Sequence, residues 1–83
     1  MTYQVYMLKN DIGRRYIGLS QDPECRLTQH NNGESKWTAK YRPWRLSWIS
    51  RTMSLSEARK LENRLKRQKG GDGINALLRD FGS

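Results

Sequence analysis

The apolar positions begin as a run of β-forming residues from Tyr3 to Lys9, stop at the turn cluster Asn10-Asp11-Ile12-Gly13, and resume in extended character from Arg14 to Leu19. This pattern predicts a hairpin. Side chains alternate between the two faces of a strand, so Tyr6 falls with Gln4 and Leu8, and Tyr16 with Arg14 and Gly18. Each tyrosine shares its face with a polar or small residue, as the lining of a cleft requires. Gly18 leaves the sheet bare beside Tyr16, which predicts that a sugar-phosphate backbone approaches there.

Asp22-Pro23-Glu24 then opens a helix, with an N-cap acceptor, a proline at the first position and an acid in the first turn; Asn32-Gly33 ends it. Within it Arg26 and His30 lie one turn apart on one face, while Pro23 and Leu27 turn inward. Glu34 to Arg42 reads as a polar, basic loop closed by Pro43. Trp44 to Ser50 alternates as a third strand with Trp44, Leu46 and Trp48 on one side. Ser54-Leu55-Ser56-Glu57 fits a capping box, and Ala58, Leu61 and Leu65 continue at helical spacing until Gly70-Gly71. Asp72 caps a last short helix whose Ile74, Leu77, Leu78 and Phe81 recur at i, i+3, i+4 and i+7. The predicted order is strand, strand, helix, strand, helix, helix.

A chain of 83 residues makes one small domain, expected to span 1–83, that buries roughly 60–65% of its unfolded surface, so its core is thin. Sixteen Lys and Arg against eight Asp and Glu give a net charge of +8, which favours a polyanionic partner. A membrane surface asks for a basic helix with a bulky apolar face, and the basic helix here has only Ala58, Leu61 and Leu65 on that face. The single cysteine, Cys25, excludes an intrachain disulfide and a Cys-rich zinc site. It suits a reducing compartment, so a cytoplasmic location is expected, with Cys25 as a small buried packing residue. No apolar stretch is long enough to span a bilayer, and the N-terminus lacks the basic-then-apolar pattern of a secretion signal. Gly70-Gly71-Asp72-Gly73 lacks the Lys-Ser/Thr pair and preceding strand of a phosphate loop and reads as a joint.

Certain of these residues carry chemistry. Glu62 lies at the edge of the buried stripe, where an ionised carboxylate needs a metal, an Arg, a water network or a salt bridge to Lys66 or Arg59. Arg26 offers a planar fork of charged donors suited to a phosphate, or is an ordinary surface Arg. His30 can orient or deprotonate a tyrosine or water near neutral pH, or simply cap its helix. Tyr6 and Tyr16 are phenols that ionise near pH ~10 unless a cation lowers that value, and are otherwise core residues. Trp37 and Tyr41 are candidates to stack on unpaired bases, whereas Trp44 and Trp48 read as core. Arg14, Arg15 and the run from Arg64 to Lys69 are candidates for non-specific phosphate contacts.

The ordered set Tyr6, Tyr16-Ile17-Gly18, Arg26, His30 and Glu62 resembles the GIY-YIG nuclease superfamily, in particular its small single-domain members, from Tyr3 to about Phe81. The first signature element reads Gln4-Val5-Tyr6, so only its tyrosine survives; the second element is intact. The resemblance implies an α/β (α+β) fold with a small three-stranded, mostly antiparallel sheet flanked by helices. It further implies a metal-dependent endonuclease, structure-directed or weakly sequence-specific, acting on DNA (RNA possible) in repair or recombination. Glu62, a few residues after Glu57-Ala58, would hold one Mg²⁺ or Mn²⁺ as the only cofactor. Arg26 would clamp phosphate, and Tyr6, Tyr16 and His30 would arrange the attack, with the two phenols' roles left open. Thr38 and Lys40, in the loop before Pro43-Trp44, would contact phosphate, and Asn75 is the nearest match to a late Asn of some members. The alternatives are a non-catalytic nucleic-acid-binding protein retaining the fold, or a basic ribosome-associated protein indifferent to Glu62.

Overall fold

A computed structural model describes residues 1–68 and 72–83, the Asp72 side chain excepted. The expected helix stop at Gly70-Gly71, the Asp72 cap and Lys69 lie outside the described residues. The elements are β1 (Gln4–Lys9), β2 (Arg15–Ser20), α1 (Pro23–Asn31), α2 (Lys36–Ala39), β3 (Arg45–Ile49), α3 (Leu55–Arg67) and α4 (Asp72–Phe81). They form an α+β fold on a three-stranded antiparallel sheet of order β2-β1-β3. The strand and helix order follows the sequence pattern, with the single turn α2 added where a loop was expected. A Ser35 N-cap without a side-chain cap bond and a length below one heptad leave such a turn no periodic signature.

β1 lies in the middle, and Val5, Tyr6, Met7 and Leu8 are all essentially buried. Burial on both faces is possible only because the sheet is covered on both. Val5 and Met7 pack with Ala58, Leu61 and Leu65 of α3 and with Ile74 and Leu77 of α4. Tyr6 and Leu8 pack on the opposite face with Trp44, Tyr16 and Leu27 of α1. Ser50, fully buried, closes the β1–β3 end: its Oγ accepts from Val5 N–H at 2.8 Å and donates to the Arg51 carbonyl at 2.8 Å.

The third strand corrects the sequence pattern. Met7 pairs with Trp48 but Leu8 pairs with Leu46, so Ser47 is an extra residue inserted into the ladder. A bulge of this kind reverses which face each later side chain meets. Trp48 therefore joins the Val5–Met7 core, while Trp44 and Leu46 stay on the Tyr6 side. The Trp48 indole N–H donates to the Leu78 carbonyl at 3.0 Å, tying β3 to α4.

The helix signals behave as expected. Asp22 accepts from Cys25 N–H at 3.2 Å and Pro23 sits at the first position. Gly33 beyond α1 takes φ +82°, a conformation that favours glycine. Ser54 accepts from Glu57 N–H at 3.2 Å while its hydroxyl donates to the Glu57 carboxylate at 3.1 Å. Cys25, by contrast, is exposed: α1 turns Pro23 and His30 inward, and the position after Glu24 falls on the outer side.

Candidate active site

The site grows from one cross-strand pair. Tyr6 lies opposite Gly18, and Leu8 opposite Tyr16, so the two tyrosines are diagonal neighbours on one face of the hairpin with ring centroids 6.3 Å apart. Gly18 does not open a path for a nucleic-acid backbone. A Cβ built on it would lie 2.6 Å from Tyr6 Oη and 2.8 Å from Cζ. The missing side chain makes room for the Tyr6 phenol, which fills the space and leaves Gly18 itself buried.

α1 brings its last turn over these rings. His30, buried, has its ring 4.7 Å from Tyr16 and 6.2 Å from Tyr6. Its Nε2 is 3.1 Å from Tyr6 Oη, and its Nδ1 is 2.8 Å from Thr38 Oγ1. The Thr38 hydroxyl donates to the Ser35 carbonyl at 3.3 Å, so its oxygen is left to accept from Nδ1–H. This assigns the tautomer: Nε2 carries the lone pair and accepts from the Tyr6 hydroxyl. Thr38 is fully buried and cannot meet a phosphate, contrary to the sequence expectation; it holds His30 instead. The single turn α2 exists to deliver it, and Trp44 Nε1 secures that turn by donating to the Thr38 carbonyl at 2.8 Å.

Burial pushes the Tyr6 phenol above its ordinary value of 10.0; the Arg26 guanidinium beside it works the other way, and Tyr16 and Glu62 add to the rise. Burial, and secondarily Arg26, hold His30 below its ordinary 6.5. Arg26 thus acts on the Tyr6 hydroxyl from α1 by hydrogen bond and charge, whereas Glu62 on α3 acts only through its charge and most weakly. Arg26 is half-buried and donates to Gln29 Oε1. Glu62 is 14% exposed and pairs with Lys66 Nζ at 3.1 Å, one of the partners open to it from the sequence. Among the described residues no three His, Cys, Asp or Glu side chains gather.

Of the remaining candidates, Arg15 and Lys66 line an open groove of about 270 Å³ together with Tyr16, Ile17 and Leu65. Arg14 is exposed, with its guanidinium 4.2 Å from the Tyr41 ring centroid. Lys40 is exposed and lines a separate recess beside Asn10, Asp11 and Pro43. Asn75 is exposed on α4. The Thr38 role escaped the sequence reading because the turn at Gly33 separates α1 from α2, so no single element's period runs from His30 to Thr38; nothing short of the folded turn announces it.

With Tyr6, Tyr16, His30 and Arg26 gathered and Glu62 placed on α3, comparison with known proteins decides the family. The GIY-YIG catalytic domain family matches residues 2–75. The chain belongs to the GIY-YIG family. It is 37% identical over 65 residues to a UPF0213 protein of Staphylococcus saprophyticus, covering 77% of this chain and 79% of that protein. It is 35% identical over 65 residues to a UPF0213 protein of Aeromonas hydrophila, where the match spans 77% of this chain but about half, 48%, of the relative. The solution NMR structure of the UPF0213 protein BH0048 from Bacillus halodurans covers 92% of this chain and 94% of its own, with 28% identity and a TM-score of 0.50. The chain is thus a small GIY-YIG member, and GIY-YIG membership points to nuclease activity in general. Among the described residues of this GIY-YIG domain, no helix is long and apolar enough to cross a membrane.

The GIY-YIG site also sets a pH dependence of stability. His30 prefers the neutral form when folded, so the unfolded chain binds the extra proton between the lowered value and 6.5. Stability then rises with pH through that window, is fully present above it and is lost below it. Acidification from about pH 7 to 5 is expected to lower the melting temperature, and His30→Gln to flatten that dependence. A melting temperature that does not move in this window, or moves equally in the variant, contradicts a neutral buried His30. Tyr6, whose folded value is raised, contributes stability below 10.0 that is lost as pH climbs past its folded value.

Proposed function

We propose that this chain is a metal-dependent endonuclease that hydrolyses DNA phosphodiester bonds, guided by DNA structure more than by sequence. The observation that carries the reading is the gathering of Tyr16 from β2 and of Arg26 and His30 from α1 around the Tyr6 hydroxyl, on which the Glu62 carboxylate of α3 acts only weakly and through its charge. A domain this small has little surface for reading base edges, which favours structure-directed contact.

The donor set fits a hard divalent cation. Mg²⁺ or Mn²⁺ takes oxygen ligands, retains several waters and needs only one or two protein carboxylates when substrate phosphate supplies the rest. Glu62 would hold it, in exchange for its present partner Lys66. When bound, the ion supplies charge stabilisation at the phosphoryl oxygens and acidifies a coordinated water.

The chain's own groups divide the remaining work. Arg26 clamps the scissile phosphate, where its fixed charge gains as negative charge grows in the transition state. Tyr16 is half-exposed, whereas Tyr6 is 1% exposed. Tyr16 is therefore the phenol that meets phosphate or the attacking water. Beneath it, the Tyr6–His30–Thr38 chain supports the Tyr16 ring, with the neutral imidazole accepting the Tyr6 hydroxyl hydrogen bond.

The Glu62–Lys66 pair favours a second reading, in which the acid is permanently neutralised and the protein binds nucleic acid without cutting it. Incubation with supercoiled and branched DNA in Mg²⁺ or EDTA separates the two. The nuclease reading expects nicking only with the metal, and a loss of roughly 10²–10³-fold in Arg26→Ala, the scale of removing one preorganised donor from developing charge. Binding without nicking in the wild type supports the second reading.

A further inference from the structure

Trp37 is 44% exposed, although the core beneath it is already closed by Trp44. Its indole stacks on Trp44 at 6.0 Å between centroids, with Tyr41 at 5.0 Å and Tyr16 at 6.1 Å. Tyr41 in turn has the Arg14 guanidinium 4.2 Å from its ring centroid. Thr38, the next residue, is locked by the bonds to His30 and to Trp44 Nε1, so Trp37 is held on a rigid turn. Lys36 and Lys40, both exposed, flank it.

We infer that Trp37, backed by Tyr41 and Trp44, is a stacking platform for an unpaired nucleobase of single-stranded DNA entering the site beside Tyr16. The chemistry of the patch selects this occupant. An exposed indole beside Tyr41, which carries the Arg14 guanidinium over its ring, and between the exposed Lys36 and Lys40 in sequence, matches a flat base carried on an anionic backbone, in a chain of net charge +8. In an intact duplex both faces of each internal base are already stacked on their neighbours. Only a single-stranded or frayed segment can place a base on Trp37, so the platform directs the enzyme to such segments. The inference rests on the nuclease reading for where the cut falls, but the stacking itself needs no catalysis.

Equilibrium binding in EDTA tests it with labelled oligo-dT, oligo-rU and a blunt duplex. Trp37→Ala is expected to weaken oligo-dT binding about five- to a hundredfold, the range for losing a stacked base, with the salt dependence unchanged because no phosphate contact is removed. Duplex affinity stays within about twofold. Trp37→Phe, which keeps an aromatic plane and a folded turn, retains most of the oligo-dT affinity. Tryptophan emission of the wild type is quenched by oligo-dT, and the quenching is lost in Trp37→Phe because Trp44 and Trp48 lie inside the fold. Equal losses on duplex and oligo-dT, equal losses in the Ala and Phe variants, or oligo-rU binding as tight as oligo-dT would each overturn the inference. A wild type that shows the Trp37-dependent preference yet cuts no DNA in Mg²⁺ removes the nuclease reading alone. One that nicks without the preference removes the platform alone.

Discussion

Glu62→Gln is expected to reduce Mg²⁺-dependent nicking by roughly 10³-fold, several kcal/mol of transition-state stabilisation, while DNA affinity in EDTA is equal or slightly tighter. The substitution keeps the shape of the side chain and removes its charge. Fold stability changes little, because the carboxylate's partner Lys66 is itself about half exposed and such pairs contribute at most about 1 kcal/mol. The same pair supplies a complementary test. Lys66→Met leaves Glu62 without its counter-charge, so Mn²⁺ binding measured without DNA is expected to tighten. Nicking unaffected by Glu62→Gln, or Mn²⁺ affinity unaffected by both substitutions, places the metal elsewhere.

Gly18→Val is expected to damage stability and activity together. The first added carbon already falls 2.6 Å from Tyr6 Oη, and Tyr6 is hemmed in by Leu8 and Trp44 on its own face. Overpacking of this kind costs about 1–3 kcal/mol. Displacing the phenol also breaks its bond to His30 Nε2, worth a further ~0.5–1.5 kcal/mol. In a domain of this size each kcal/mol lowers the melting temperature by about 4–8 °C. Activity should fall on the order of 10²-fold, as for a misplacement near 1 Å. If Gly18 instead served the approach of a DNA backbone, Gly18→Ala would weaken DNA binding and leave the melting temperature alone. Thermal melts beside binding isotherms distinguish the two.

The functional consequence is that the cleft is built by packing as much as by charge. Tyr6, its proton and its partner His30 sit inside the hydrophobic cluster with Leu8 and Trp44, so perturbations of the core reach the chemistry directly. The open groove beside Arg15 and Tyr16 is bounded by Leu65 and Lys66 at the end of α3.

Much of the architecture was legible because it is written in short-range patterns. The Asn10-to-Gly13 turn, the Asp22-Pro23 and Ser54–Glu57 caps, and the stripe Ala58, Leu61, Leu65 all depend on neighbours within one turn of chain, where steric and hydrogen-bond preferences act without the rest of the fold. The same local rules put Arg26 and His30 on one helix face and set Tyr6 and Tyr16 apart as candidates. They failed at Trp48, where a single bulged residue inverted the alternation, and at Cys25, which no strong periodic stripe constrains. They also misread Gly18, and the resemblance misplaced Thr38. Both are small residues whose meaning is the space or hydrogen bond offered to a side chain on another element.

By itself the amino-acid order determined the elements, their sequence, the basic character and the short set of residues able to do phosphodiester chemistry. Only the tertiary structure decided which of them meet: that Tyr6 is sealed and Tyr16 more open, that Thr38 serves His30, and that Glu62 pairs with Lys66 on a helix packed against the face of the sheet opposite the Tyr6 ring. The reason is physical. Periods of 2.0 and 3.6 residues assign side chains to faces within an element, whereas distances between elements arise from packing, register and bulges that no single segment encodes.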